Sequence, residues 1–126
     1  MDKHDIYIKI ENEIQKNKDG LTELGRELFN HPEPGFKEVE SNKILTSFLR
    51  ENGISCRSDI CLTGIRAEIG NGEGYHIALV ADMDALIVDD GEKRYPCHSC
   101  GHSIQTAVMA YVLKMLNDMK LCGETG

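Results

Sequence analysis

The apolar residues of this chain change their spacing once, near Gly53, and that switch fixes the class of fold open to it. Upstream, Tyr7, Ile10, Ile14, Leu21, Leu24 and Leu28 recur at roughly helical spacing with charges between them. The pattern predicts helix over the first thirty residues, with Gly20 as a point where it divides. His31-Pro32-Glu33-Pro34-Gly35 ends it, because a residue preceding proline is pushed out of the helical region. A second helix is expected from Glu38 to Asn52, its apolar face made by Ile44, Leu45, Phe48 and Leu49, with Gly53 as its stop.

Downstream the period shortens. Ile54 and Cys56, then Ile65, Ala67 and Ile69, alternate with polar residues as strands do, and Asn71-Gly72 with Gly74 supplies a hairpin-type turn. His76–Ala81 is a mostly continuous apolar run, which predicts a strand buried on both faces. It ends at Asp82, and in open α/β sheets ligands collect beyond the carboxyl ends of such strands. Ile104, Ala107, Val108, Tyr111, Val112 and Met115 then restore helical spacing, so a last helix is expected from Ser103 to Lys120 with Ser103 as its cap. No repeat or linker interrupts the 126 residues, which read as a single domain. The expected fold is α/β, a partial three-layer αβα sandwich around a mixed sheet.

Chemistry concentrates in Cys97-His98-Ser99-Cys100-Gly101-His102, just beyond Asp82-Met83-Asp84. Thiolate and imidazole together suit zinc, and neighbouring carboxylates suit a hydrolytic metal centre. Cys100 and His102 fall at the start of the predicted last helix, an end that lowers thiol pKa. Three other readings of these residues stay open. Cys97 and Cys100 form a C-x-x-C pair that suits dithiol redox chemistry or half a zinc knuckle. Cys97, His98, Cys100 and His102 form a local four-ligand set, and Asp82 and Asp84 are also ordinary turn residues.

The bulk properties narrow the rest. A net charge of -7 and the absence of Trp argue against nucleic acid as a partner. Five cysteines, an odd number, argue against a disulfide framework. No apolar stretch reaches the ~18 residues of a membrane span and no signal-peptide core opens the chain, so the expected location is cytoplasmic, without a membrane partner.

These residues resemble the M20 family of metallopeptidases and amidohydrolases, the branch that includes aminoacylase and hippurate hydrolase. Ala81-Asp82-Met83-Asp84-Ala85-Leu86 matches the family's ADMDAL core without a change, and His98-Ser99-Cys100-Gly101-His102 resembles its HACGHD motif. Arg26-Glu27-Leu28 through His31-Pro32-Glu33 resembles the family's opening helix and Pro-Glu turn, with Glu38 as the acidic residue that follows. Leu62-Thr63-Gly64-Ile65 is similar to its threonine-glycine strand entry. The resemblance implies hydrolysis of an amide bond in a small N-acyl amino acid or peptide, with a divalent metal, zinc or manganese, as cofactor. It implies Cys100 and His102 as metal ligands, Asp84 as the carboxylate that orients a ligand, and Asp82 as a further member of the metal site.

Departures accompany the match: Val80 stands for the family's usual Arg, Ile87 for Pro, Phe29 for His, Ser103 for Asp and Gln105 for His. The family's paired glutamates, its general base and a further ligand, belong after the Ser103 helix, and Glu124 is no substitute for them. Two expectations follow. One is the first part of a catalytic domain, inactive alone or completed by a second polypeptide. The other is a non-catalytic binding or assembly module that keeps the fold, with homo-oligomerisation or a complementary polypeptide covering an open sheet edge.

Overall fold

A computed structural model describes residues 2–122; Glu124 lies outside the described residues. The helical spacing of the first half produces α1 (Lys3–Phe29) and α2 (Val39–Glu51). α1 does not divide at Gly20. A Cβ at that position would overlap the hydroxyl of Tyr111, so the glycine serves as a point of close approach for α3 (His102–Asp118). Leu24, Leu28, Leu45, Ala107 and Tyr111 form the buried cluster between the three helices, and Phe48 packs on Tyr111 with ring centroids 4.8 Å apart.

The start of α2 is capped from a distance. Glu38, its N-cap residue, makes no side-chain cap; the carboxylate of Glu33 instead accepts the backbone N–H groups of Glu40 and Ser41, each at 2.9 Å, and the Ser41 hydroxyl at 2.9 Å. Burial works against the Glu33 charge, but these hydrogen bonds outweigh it and hold the carboxyl below its ordinary value. Glu38 is itself buried and accepts the Thr63 hydroxyl at 2.6 Å, while Asn42 donates to the Thr63 carbonyl at 2.8 Å. The turn after β1 (Cys56–Ile60) is thereby pinned to α2, and the chain returns as β2 (Gly64–Ala67), antiparallel to β1.

The second half departs from the expected sandwich. Among the described residues the strands form two separate two-stranded antiparallel sheets, β1 with β2 and β3 (Leu86–Asp89) with β4 (Arg94–Cys97), and no mixed sheet. Asn71-Gly72 opens no hairpin. His76–Ala81 forms no strand among the described residues: Tyr75, Ile77 and Val80 are 102%, 88% and 73% exposed where the pattern predicts a doubly buried strand. Apolarity signals that a segment gains from burial, and nothing among the described residues supplies the neighbours on either side. The charged stretch at 89–94 instead turns a hairpin, with Leu86 opposite Cys97 and Asp89 opposite Arg94, because Asp90-Gly91 provides the turn. α3 starts at His102 behind Gly101, whose φ of 86° suits glycine, and Ser103 does not cap it. Among the described residues no helix is long and apolar enough to cross a membrane.

Candidate functional site

Three segments converge beside the start of α3. The turn at 31–35 is tied to the ADMDAL segment by the Ala85 N–H, which donates to the Glu33 carbonyl at 2.7 Å. That segment is tied to α3 by the Thr106 hydroxyl, which donates to the Asp82 carbonyl at 2.6 Å. Asp84 is thus fixed on both sides before its side chain makes any contact.

His102 Nδ1 lies 3.0 Å from both the Asp84 carbonyl and its Oδ1. Facing two acceptors, Nδ1 carries the proton, which leaves the lone pair on Nε2. A histidine ligand is oriented in this way, by a carboxylate or carbonyl on its far nitrogen. The Cys100 thiol donates to the same Asp84 carbonyl at 3.8 Å, so Cys100 and His102 share one anchor. The His102 and Asp84 side chains keep 30% and 37% of their exposure, which leaves the pair open to solutes.

The donor chemistry fits a zinc-type metal in kind, as thiol and imidazole, but not in number. Among the described residues no three His, Cys, Asp or Glu side chains lie together in a group that could hold an ion. Asp82 is exposed and does not join Cys100 and His102 in such a group. The local set of Cys97, His98, Cys100 and His102 fails the same test, since neighbouring side chains leave the backbone in different directions. All five cysteines are free thiols.

Two contributors escaped the sequence. Glu33 was legible as part of a turn, not as the group that caps α2. His98 was legible only as a motif position, yet it is 5% exposed and packs near Phe29 with ring centroids 6.4 Å apart, with neither ring nitrogen in a well-aligned hydrogen bond. Burial, and then the neighbouring His102, push its pKa below the ordinary histidine value, against the opposing pull of Asp84, the His31 backbone and Glu33.

The geometry can be set beside known proteins. The chain is 32% identical to IAA-amino acid hydrolase ILR1-like 2 of Arabidopsis thaliana, across 79% of this chain and 24% of that protein. It is 30% identical to thermostable carboxypeptidase 2 of Saccharolobus solfataricus, across 95% of this chain and 33% of that protein. To the N-acetyl-L-cysteine deacetylase of Bacillus subtilis it is 34% identical, across 78% and 26%. The chain therefore spans about a quarter to a third of the length of the curated relatives it matches. No family model matches it, and no solved structure does. These relatives are hydrolases, and the unchanged ADMDAL core lies beside the Cys100–His102 motif in the folded chain: it belongs to the M20 family of metallopeptidases and amidohydrolases.

Proposed function

We propose that this chain carries one wall of a metal-dependent amidohydrolase centre acting on small amino-acid conjugates or peptides. The observation that carries the reading is the shared anchor: one residue, Asp84, orients His102 through Nδ1 and engages the Cys100 thiol. Cys100 and His102 Nε2 are the donors in this reading, and Asp82, two positions before Asp84, is the candidate third. A divalent zinc or manganese ion, when bound, lowers the pKa of water and polarises the scissile carbonyl. The chain's own residues hold the proton on His102 Nδ1, keep Nε2 free, and fix the ADMDAL segment through Glu33 and Thr106. Names of the relatives favour an acyl or conjugated amino acid as substrate. The reading treats residues 1–126 as one part of a catalytic domain and places it in the cytoplasm. The 126-residue chain alone is expected to lack turnover, since the reading assigns the base to a glutamate pair these residues do not include.

Cobalt(II) titration of the chain tests the donors, because thiolate ligation gives a charge-transfer band. The band is expected in the wild type and in Cys97→Ser, and is expected to vanish in Cys100→Ser. Loss in Cys97→Ser with Cys100→Ser unaffected refutes the assignment.

A second reading, a non-catalytic assembly module, draws on one observation: the apolar run from Tyr75 to Val80 stands in solvent. Homo-oligomerisation or a complementary polypeptide would cover it. Light scattering separates the readings, with a strict monomer at high concentration excluding self-assembly.

A further inference from the structure

A groove of about 460 Å³ opens between α1 and α2 and reaches α3 at Tyr111. Small organic ligands occupy volumes of this order, from about 300 to 1,000 Å³. Leu24, Ile44, Phe48 and Tyr111 give it an apolar and aromatic floor. Glu23, Glu27 and Glu51 also line it, against a single cation, Lys43. Lys43 is already held by Glu40 at 2.6 Å, and Glu23 by Arg26 at 2.9 Å. The carboxylates of Glu27 and Glu51 have no partner among the described residues. None of these residues belongs to the Cys100–His102 site.

Tyr111 is the part of this groove that folding alone does not explain. It is 8% exposed, yet its hydroxyl makes no hydrogen bond among the described residues. Burial pushes its pKa up with no hydrogen bond acting on it. The oxygen is not sealed in, and the groove that Tyr111 and Gly20 both line is what it opens onto. A Cβ at position 20 would lie 2.2 Å from that oxygen, so the hydroxyl occupies space that exists only because residue 20 is glycine. Glycine inside a helix weakens it, and a buried hydroxyl without a partner weakens the fold again. Both losses serve to present one polar atom to the groove. We infer that the groove binds a small organic ammonium, drawn by the Glu27 and Glu51 carboxylates, donating an N–H to the Tyr111 hydroxyl and resting its apolar body on Phe48. The rings of Phe48 and Tyr111, with centroids 4.8 Å apart, add the attraction of aromatic faces for a cation. The inference is independent of the proposed metal site.

Three probes of one shape test it by amide NMR titration of the 126-residue chain: benzylammonium, benzyl alcohol and benzyltrimethylammonium. Benzylammonium should give saturable shifts centred on Gly20, Ser47 and Tyr111. Benzyl alcohol, which lacks the charge, should bind about tenfold more weakly. Glu27→Gln combined with Glu51→Gln should remove that difference. Tyr111→Phe keeps the ring and deletes the unpartnered hydroxyl, so Tm should stay unchanged or rise. The same variant should weaken benzylammonium about tenfold and leave benzyltrimethylammonium, which has no N–H to donate, as it was. A fall in Tm in Tyr111→Phe would show the hydroxyl to be paired within the fold and overturn the inference. Equal weakening of both cations would reduce Tyr111 to packing, with the same consequence. No saturable shift with benzylammonium, or equal affinity for the alcohol, would remove the site. Shifts given only by a lysine-rich peptide would make the occupant a protein partner and equally overturn it.

Discussion

The contact between α1 and α3 and the largely apolar run from Tyr75 to Val80 both carry residues that favour burial, and they end in opposite states. Between the helices, Leu24, Leu28, Ala107 and Tyr111 are all buried, and Gly20 removes a side chain so that Tyr111 can close in. Along the run, Ile77 is 88% and Val80 73% exposed. A helix satisfies its own backbone and needs a partner on only one stripe of its surface. A strand needs partners for its backbone on two edges as well as for its faces. Three helices packed together meet the first requirement, whereas two isolated hairpins leave the second unmet.

Truncating the core gives the largest effect. Leu28 is 2% exposed at the centre of the helical cluster, so Leu28→Ala should cost about 2–5 kcal/mol, enough to unfold much of a marginal domain. Urea denaturation followed by circular dichroism measures it. A loss below about 1 kcal/mol would mean that the cluster is far looser than its burial indicates.

A smaller effect is expected at the turn that joins the helical side to the site. Glu33→Gln removes the carboxylate that caps α2 and should cost about 1 kcal/mol, discounted because the group is only part-buried. The pH dependence has a definite sign. The carboxyl of Glu33 titrates below its ordinary value of 4.5 in the folded chain, so its contribution is complete above that ordinary value. That contribution disappears as pH falls through the lower, folded-state value. The difference in stability between wild type and Glu33→Gln should therefore be constant at neutral pH and vanish in acid. A difference that persists unchanged in acid would assign the effect to something other than the carboxylate charge.

This division between regions also marks what the amino-acid pattern could reveal. α1, α2 and α3 were legible because Leu24, Leu28, Leu45, Leu49, Ala107 and Tyr111 repeat with the period of the structure they form. The pair Asp84 and His102 was legible through two motifs, and they do meet, at 3.0 Å. Other features depended on contacts between distant segments. Nothing near Glu33 announces that its carboxylate reaches seven and eight residues ahead to α2. His98 is buried by a loop closing against the end of α1, which its own neighbours in sequence do not encode. β3 and β4 are short and lack the apolar alternation that marks a strand, so only their pairing across Asp90-Gly91 reveals them. His76–Ala81 departs from its expected strand for a physical reason: apolar character reports what a segment would gain by burial, and the gain requires neighbours that composition cannot promise.

The smallest expected effect is the most discriminating test of the contrast. Replacing Ile77 and Val80 together by serine removes two large apolar groups that face solvent, so stability should change by less than about 0.5 kcal/mol. In a doubly buried strand the same pair of changes would cost several kilocalories, each site losing its apolar contacts and leaving a cavity. Amide exchange gives an independent check, because the N–H groups of residues 76–81 have no ladder partners among the described residues and should exchange at nearly unprotected rates. Protection of those amides together with a large loss in the serine variant would show the run to be a buried strand in solution. The sheet expected around it would then exist after all, and the two regions would differ in composition only, not in how completely they are packed.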